Sequence, residues 1–158
     1  MAPKNPPAST PSSERLTAVI IVISDRVYSG ERPDAAGPAA AQLFESHNVD
    51  VRESVVIPEN KEAITAALTS AQEQGHDIIL TAGGTGLKPN NVTPEATRPF
   101  IDTELPALAM HIFCEGVKNS PRAGLTRGLV GVTSRDETAA LIINAPGSVG
   151  GVTDTITV

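Results

Sequence analysis

Residues 77–86 read DIILTAGGTG, an apolar run that passes directly into a loop with three glycines. A short run that is apolar on both faces suits a strand covered on both sides, the condition of a parallel sheet. Glycines at the exit of such a strand let the backbone approach a ligand closely. They can also turn successive N–H groups inward as a nest for an anion. The same glycines serve a plain strand-to-helix turn, so the loop alone leaves both readings open. It is neither a Walker loop, since no Gly-Lys-Ser/Thr follows, nor G-x-G-x-x-G.

The flanking segments repeat the theme. Ala18–Ser24 (AVIIVIS) is a second run apolar on both faces and reads as a buried strand. A loop with Gly30, Pro33 and Gly37 follows, and Pro38 is placed as the first residue of a helix running to about Asn48. Asp50–Ile57 alternates as a strand does. Asn60 caps a helix with Ile64, Ala67, Leu68 and Ala71 on one face, and Gly75 ends it.

Downstream, Thr93-Pro94-Glu95 has the order cap, first-position proline, first-turn acid, so a helix starts there. Another runs from about Glu104 through Cys114, with Cys114 packed in the core, and Glu115–Gly124 is polar and irregular. Leu129–Thr133 and Ala139–Asn144 read as strands. Pro146-Gly147-Ser148 is a turn whose serine caps a last helix, which Gly150–Val158 leaves short and truncated. Strands alternating with helices at this spacing predict an α/β layered sheet.

Composition narrows the classes. The chain has 158 residues, 40% hydrophobic but only 3% aromatic, so its core rests on Ile, Val, Leu and Ala. Its net charge of −6 and the lack of a Lys/Arg run argue against a nucleic-acid partner. One cysteine excludes an internal disulfide framework and a cysteine-based zinc cluster. The longest apolar run, Leu16 to Ile23, falls far short of the ~20 residues of a membrane span. Met1–Arg15 is Pro/Ser-rich and reads as a disordered tail before a domain at 16–158, with a cytoplasmic location expected.

In an open α/β sheet, ligands bind beyond the carboxyl ends of the strands. Four loops qualify: Ser24–Gly37, Pro58–Asn60, Ala82–Thr93 and Asn144–Ser148. With the glycine loop, the helix N-terminus near Pro94 would favour phosphate. Asp25, Asp34, Glu59 and Glu95 near these exits are either solvated acids or carboxylates that face a phosphate across Mg²⁺, Asp34 being a candidate metal ligand. Arg26 either pairs with phosphate or forms an ion pair on the rim. His47, His76 and His111 fall away from the four loops.

Taken together these residues resemble the MoaB/Mog family of molybdenum-cofactor biosynthesis proteins. The matching pieces are Ser24-Asp25-Arg26 with Gly30, Asp34 and Gly37, then Thr81–Gly86, Val92–Thr97, Leu125-Thr126-Arg127 and Asn144–Ser148. The resemblance implies a three-layer α/β/α sandwich with a mostly parallel sheet, assembled as a homotrimer or a trimer-based hexamer, with other molybdenum-cofactor enzymes as further partners. It implies binding of molybdopterin, a pterin with a dithiolene and a terminal phosphate. The activity it implies is adenylylation of that phosphate by ATP with Mg²⁺, releasing pyrophosphate. The substrate-binding residues carried over are Ser24, Asp25, Arg26, Gly83, Gly84, Thr85, Gly86, Thr93, Pro94, Glu95, Pro146, Gly147 and Ser148. Family members of clear adenylyltransferase character have Asp at two positions held here by Glu59 and Asn91, which are the candidate catalytic pair. The alternative is a relative that binds the pterin without adenylylating it.

Overall fold

A computed structural model describes residues 15–158. The tail expected over Met1–Arg15 lies, Arg15 apart, outside the described residues. Six strands form one sheet in the order β2-β1-β3-β6-β5-β4. They are β1 (Thr17–Ile23), β2 (Asp50–Ile57), β3 (Ile78–Ala82), β4 (Thr103–Glu104), β5 (Val130–Val132) and β6 (Leu141–Ala145). β1 pairs in parallel with both β2 and β3, and β3 with β6. β5 and β4 run antiparallel at one edge.

The two-faced apolar runs do what their pattern requires. Ala18, Ile20 and Val22 of β1 point to one face and meet Ala36, Ala40 and Phe44 of α2 (Ala36–Ser46) and Val152 of α6 (Val149–Thr157). Val19, Ile21 and Ile23 point to the other and meet Ile64, Leu68 and Ala71 of α3 (Lys61–Glu73) and Ala96 of α4 (Thr93–Thr97). This is a three-layer α/β/α sandwich with a mostly parallel sheet. Burying a large aliphatic side chain contributes about 1.5–3 kcal/mol, so β1, 0–3% exposed from Ala18 to Ile23, anchors both layers.

Several local expectations shift. The residues after β1 form one helical turn, α1 (Asp25–Tyr28), because Ser24 Oγ accepts from Val27 N–H at 3.3 Å. α2 starts two residues before Pro38, since Asp34 Oδ1 accepts from Gly37 N–H at 2.8 Å and satisfies its first turn. Glu104, read as helix, pairs in β4, and Pro106 opens α5 (Pro106–Asn119). α5 also continues through a stretch read as irregular and stops ahead of Pro121. None of its residues is fully buried, and Cys114, expected in the core, is exposed. α5 packs against α6, the turn over Pro121–Leu125 and β5, while another part of its surface, with Met110 and Val117, stays open. Among the described residues no helix is long and apolar enough to cross a membrane.

Candidate functional site

The chain leaves β1 for β2 on one side and returns to β3 on the other. The carboxyl ends of β1 and β3 therefore flank the crevice where α/β sheets bind ligands. The glycine loop occupies it. Gly83 and Gly84 have φ of +118° and +70°, a region that disfavours any side chain. A Cβ on Gly83 would run into the carbonyl oxygen of Ile23, and one on Gly84 into Oγ1 of Thr93. These glycines are thus demanded by the protein's own packing rather than by open space for a ligand.

What their turn achieves is seen in the carbonyls. The oxygen of Gly83 accepts from Thr93 Oγ1 at 2.9 Å, and that of Gly84 from Thr93 N–H at 3.2 Å. Thr85 O accepts from Arg127 N–H and Gly86 O from Arg127 Nε, each at 2.9 Å. All these carbonyls are turned onto protein donors. Among the described residues, the N–H groups of Gly84, Thr85 and Gly86 have no acceptor. That is the arrangement of an anion nest.

Thr85 and Gly86 open onto a cavity of about 640 Å³, within the size range of small-molecule sites. Asn91, Asn144, Pro146 and Ser148 line it from the strand ends, and Ala109, Ile112 and Phe113 of α5 give it an apolar wall. Lys88 and Arg122 add cationic groups. Ser148 Oγ accepts from Gly151 N–H at 2.9 Å and caps α6, as its sequence position predicts. The helix N-terminus at this cavity is therefore that of α6. The one expected at Pro94 belongs to a single turn, and Thr93 lies inside it with its hydroxyl on Gly83 rather than capping it.

Glu59 and Asn91, nominated separately in sequence, meet. Asn91 Nδ2 donates to Glu59 Oε1 at 3.3 Å, and Asn90 Nδ2 to Glu59 Oε2 at 3.1 Å. Asp25 joins them, its Oδ1 accepting from Glu59 N–H at 2.8 Å. Burial, and then the charge of Asp25, push the Glu59 carboxyl above its ordinary value. Asn91 belongs to both this carboxylate edge and the cavity, and Lys88, which lines the cavity, also acts on Glu59 through its charge. Oxygen donors of this kind suit Mg²⁺, which keeps waters and takes one or two carboxylates plus substrate phosphates. Among the described residues no group of three or more His, Cys, Asp or Glu could hold a metal. Asp25 and Glu59 fit such a shared site. Asp34 is engaged in capping α2.

The remaining nominated residues divide. Pro94 is buried beneath the loop, and Gly147 lies where a Cβ would come within 3.1 Å of Gly83 Cα. Ser24 caps α1, and exposed Arg26 pairs with Glu31 at 3.6 Å, the rim ion pair. Glu95 pairs with Arg127, which holds its carboxyl below the ordinary value.

Two residues escaped site assignment. Arg127 clasps the loop: besides its bonds to Thr85, Gly86 and Glu95, its Nη2 donates to Asn91 O at 2.8 Å. Asn144, 5% exposed, donates to Thr81 Oγ1 and Thr97 Oγ1 at 2.8 and 3.1 Å and accepts from Leu129 N–H at 3.1 Å. It welds β3, β6 and α4 behind the loop. Both fall in pieces that match the MoaB/Mog pattern, Leu125-Thr126-Arg127 and Asn144–Ser148, but the sequence carried no sign of the role either plays.

A family model described as "Probable molybdopterin binding domain" matches residues 19–158. The chain belongs to the MoaB/Mog family of molybdenum-cofactor biosynthesis domains. It is 37% identical over 138 residues to the molybdenum cofactor synthesis protein cinnamon of Drosophila melanogaster, covering 85% of this chain and 22% of that one. It is 31% identical over 147 residues to gephyrin of Dictyostelium discoideum, covering 87% and 20%. The chain thus spans about a fifth of the length of these two relatives. A molybdopterin adenylyltransferase of Haemophilus influenzae is 31% identical over 140 residues, covering 87% of this chain and 69% of that one. Among solved structures, the molybdopterin biosynthesis Mog protein of Mycobacterium ulcerans superposes with a TM-score of 0.81 at 36% identity, covering 92% and 90%. The tungsten cofactor synthesizing protein MoaB of Pyrococcus furiosus gives 0.81 at 26%, covering 91% and 89%. Of the MoaB/Mog pieces, Thr81–Gly86, Val92–Thr97, Leu125-Thr126-Arg127 and Asn144–Ser148 are joined through the hydrogen bonds of Thr93, Arg127 and Asn144.

Proposed function

We propose that this domain binds molybdopterin in the cavity and adenylylates its terminal phosphate with ATP. The observation that carries this reading is the glycine loop with its carbonyls turned inward. The free N–H groups of Thr85 and Gly86 border a cavity that shares Asn91 with a carboxylate edge. A phosphate monoester placed against the N–H groups of Gly84–Gly86 and the α6 N-terminus finds preorganised donors, with Lys88 and Arg122 supplying positive charge. Asn91 and Glu59 then stand where that phosphate would meet the α-phosphate of ATP. An oxygen of the pterin phosphate attacks the α-phosphorus, a new P–O–P bond forms, the bond to the β-phosphate breaks, and pyrophosphate leaves.

Mg²⁺, which Asp25 and Glu59 would hold, supplies neutralisation of the phosphate charges. Asp25 fixes the Glu59 backbone through its N–H, while Asn90 and Asn91 aim the Glu59 carboxylate. Arg127 and Thr93 hold the loop so that its donors are in place before the reaction. Glu59 keeps the charge of the aspartate of other members on a longer arm. Asn91 keeps the shape and gives up the charge.

The same reading carries a homotrimer or trimer-based hexamer in the cytoplasm, and the open face of α5, with Met110, Cys114 and Val117, is the apolar surface we assign to that assembly. Light scattering checks the mass. Titration with molybdopterin, then with ATP and Mg²⁺, checks the chemistry: saturable pterin binding followed by pyrophosphate release is the expected result. Binding without pyrophosphate points to a pterin-binding relative instead.

A further inference from the structure

The cavity contains a carboxylate that the reaction above does not use. Asp154 of α6 lines it, and its Oδ1 accepts from Asn119 Nδ2 of α5 at 2.8 Å. That bond braces the side chain between two helices. Among the described residues no cation pairs with Asp154, although Lys88 and Arg122 line the same cavity. Asp154 lies six residues beyond Ser148, the α6 cap next to the glycine loop. At 1.5 Å per residue it sits about 9 Å along the helix from the phosphate-binding end. Phe113 and Ile112 of α5 give the same cavity an apolar wall.

A flat heterocycle against that wall, with its phosphate at the loop, would bring its far edge to Asp154. A carboxylate only accepts hydrogen bonds, and two parallel N–H donors satisfy it best. The 2-amino-4-oxo-pyrimidine edge of a pterin presents such a pair, the ring N3–H and the exocyclic amino group. Adenine presents a donor beside an acceptor and does not match. We infer that Asp154, positioned by Asn119, is the residue that reads the ring: it accepts both donors of a 2-amino-4-oxo-pyrimidine edge and selects pterins over their 2-oxo analogues. The inference rests on the reading of the cavity as a pterin-phosphate site.

The test uses two probes with the same phosphate: 6-hydroxymethylpterin monophosphate, and the corresponding lumazine, in which oxygen replaces the 2-amino group. Binding is followed by fluorescence quenching with the whole chain, without ATP. The wild-type protein is expected to prefer the pterin by tenfold or more. Asp154→Asn, which keeps the shape and can still accept from Asn119, is expected to weaken pterin binding about tenfold and, since its Nδ2 can donate to the 2-oxo group, to hold or strengthen lumazine binding, and so to erase or reverse the preference. Asp154→Glu is expected to retain a preference. Equal binding of the two probes by the wild-type protein, or an undiminished preference in Asp154→Asn, overturns the role of Asp154 and leaves the phosphate site standing. No binding of either probe overturns the pterin reading itself, and this inference with it. The wild-type comparison decides even if a variant fails to fold.

Discussion

Replacing Arg127 by alanine removes the clasp on the glycine loop while leaving in place the site residues it holds, Gly86, Asn91 and Glu95. Three side-chain contacts go, to Gly86 O, Asn91 O and the Glu95 carboxylate, while the backbone N–H on Thr85 O stays. Hydrogen bonds from a charged donor contribute about 1.5–3 kcal/mol each, but this side chain is 34% exposed, so water can replace it on the abandoned carbonyls. We take about 1 kcal/mol for each carbonyl and under ~1 kcal/mol for the solvent-facing ion pair. The sum is about 2–3 kcal/mol. For a chain of 158 residues that lowers Tm by about 5–10 °C. The loop should also lose the fixed geometry of its free N–H groups, and affinity for a pterin phosphate should drop about tenfold, equivalent to ~1.4 kcal/mol. Arg127→Lys reaches at most one of the three acceptors and should recover less than half of either loss. The assays are thermal unfolding by circular dichroism and fluorescence titration at fixed pH. A Tm within about 2 °C of wild type together with unchanged binding would refute the clasp.

The other predictions concern the loop and the carboxylates. Gly84→Val drives a branched side chain into Thr93 at positive φ, so it should cost more than about 3 kcal/mol and show as insolubility or a collapsed Tm, beyond any loss of binding. Asn91→Asp replaces the donor facing Glu59 by a like charge; its stability should fall in EDTA, recover with Mg²⁺, and its pyrophosphate release should exceed that of wild type. Glu95 has a lowered pKa, so its stabilisation is full above the ordinary 4.5 and is lost as pH falls through the lowered value; Glu95→Gln should flatten the acid limb of a Tm-versus-pH curve. Glu59 has a raised pKa, so its stabilisation is present below 4.5 and lost as pH rises through the raised value; Glu59→Gln should gain stability relative to wild type across that rise while losing turnover.

Most of the framework was legible because it rests on local rules. The two-faced run Ala18–Ile23 announced a central strand, Asn60 and Ser148 announced their helices, and Asp50–Ile57 was bounded by its alternation. The failures share a cause: partners distant in sequence. Thr93 looks like a cap because Ser and Thr usually cap, yet its hydroxyl is claimed by Gly83, ten residues away. Cys114 looks like core because α5 is apolar, but α5 has no fully buried residue and Cys114 lies on its exposed side. The glycines pointed to the right loop with an incomplete reason. Their turns are fixed by Ile23 and Thr93, and the anion site arises from where that leaves the N–H groups. Arg127 and Asn144 fall in matching motif pieces, but they act through contacts across the fold, so their positions did not show their roles.

The central claim is that one site binds a pterin phosphate and adenylylates it. The most direct measurement incubates the whole chain with molybdopterin, α-labelled ATP and Mg²⁺ and follows label and pyrophosphate together. The account predicts AMP transferred to the pterin phosphate in equal amounts with the pyrophosphate released, both abolished in Glu59→Gln while pterin binding persists. Pterin binding with no label transferred at saturating ATP and Mg²⁺, or transfer that Glu59→Gln leaves untouched, would contradict it.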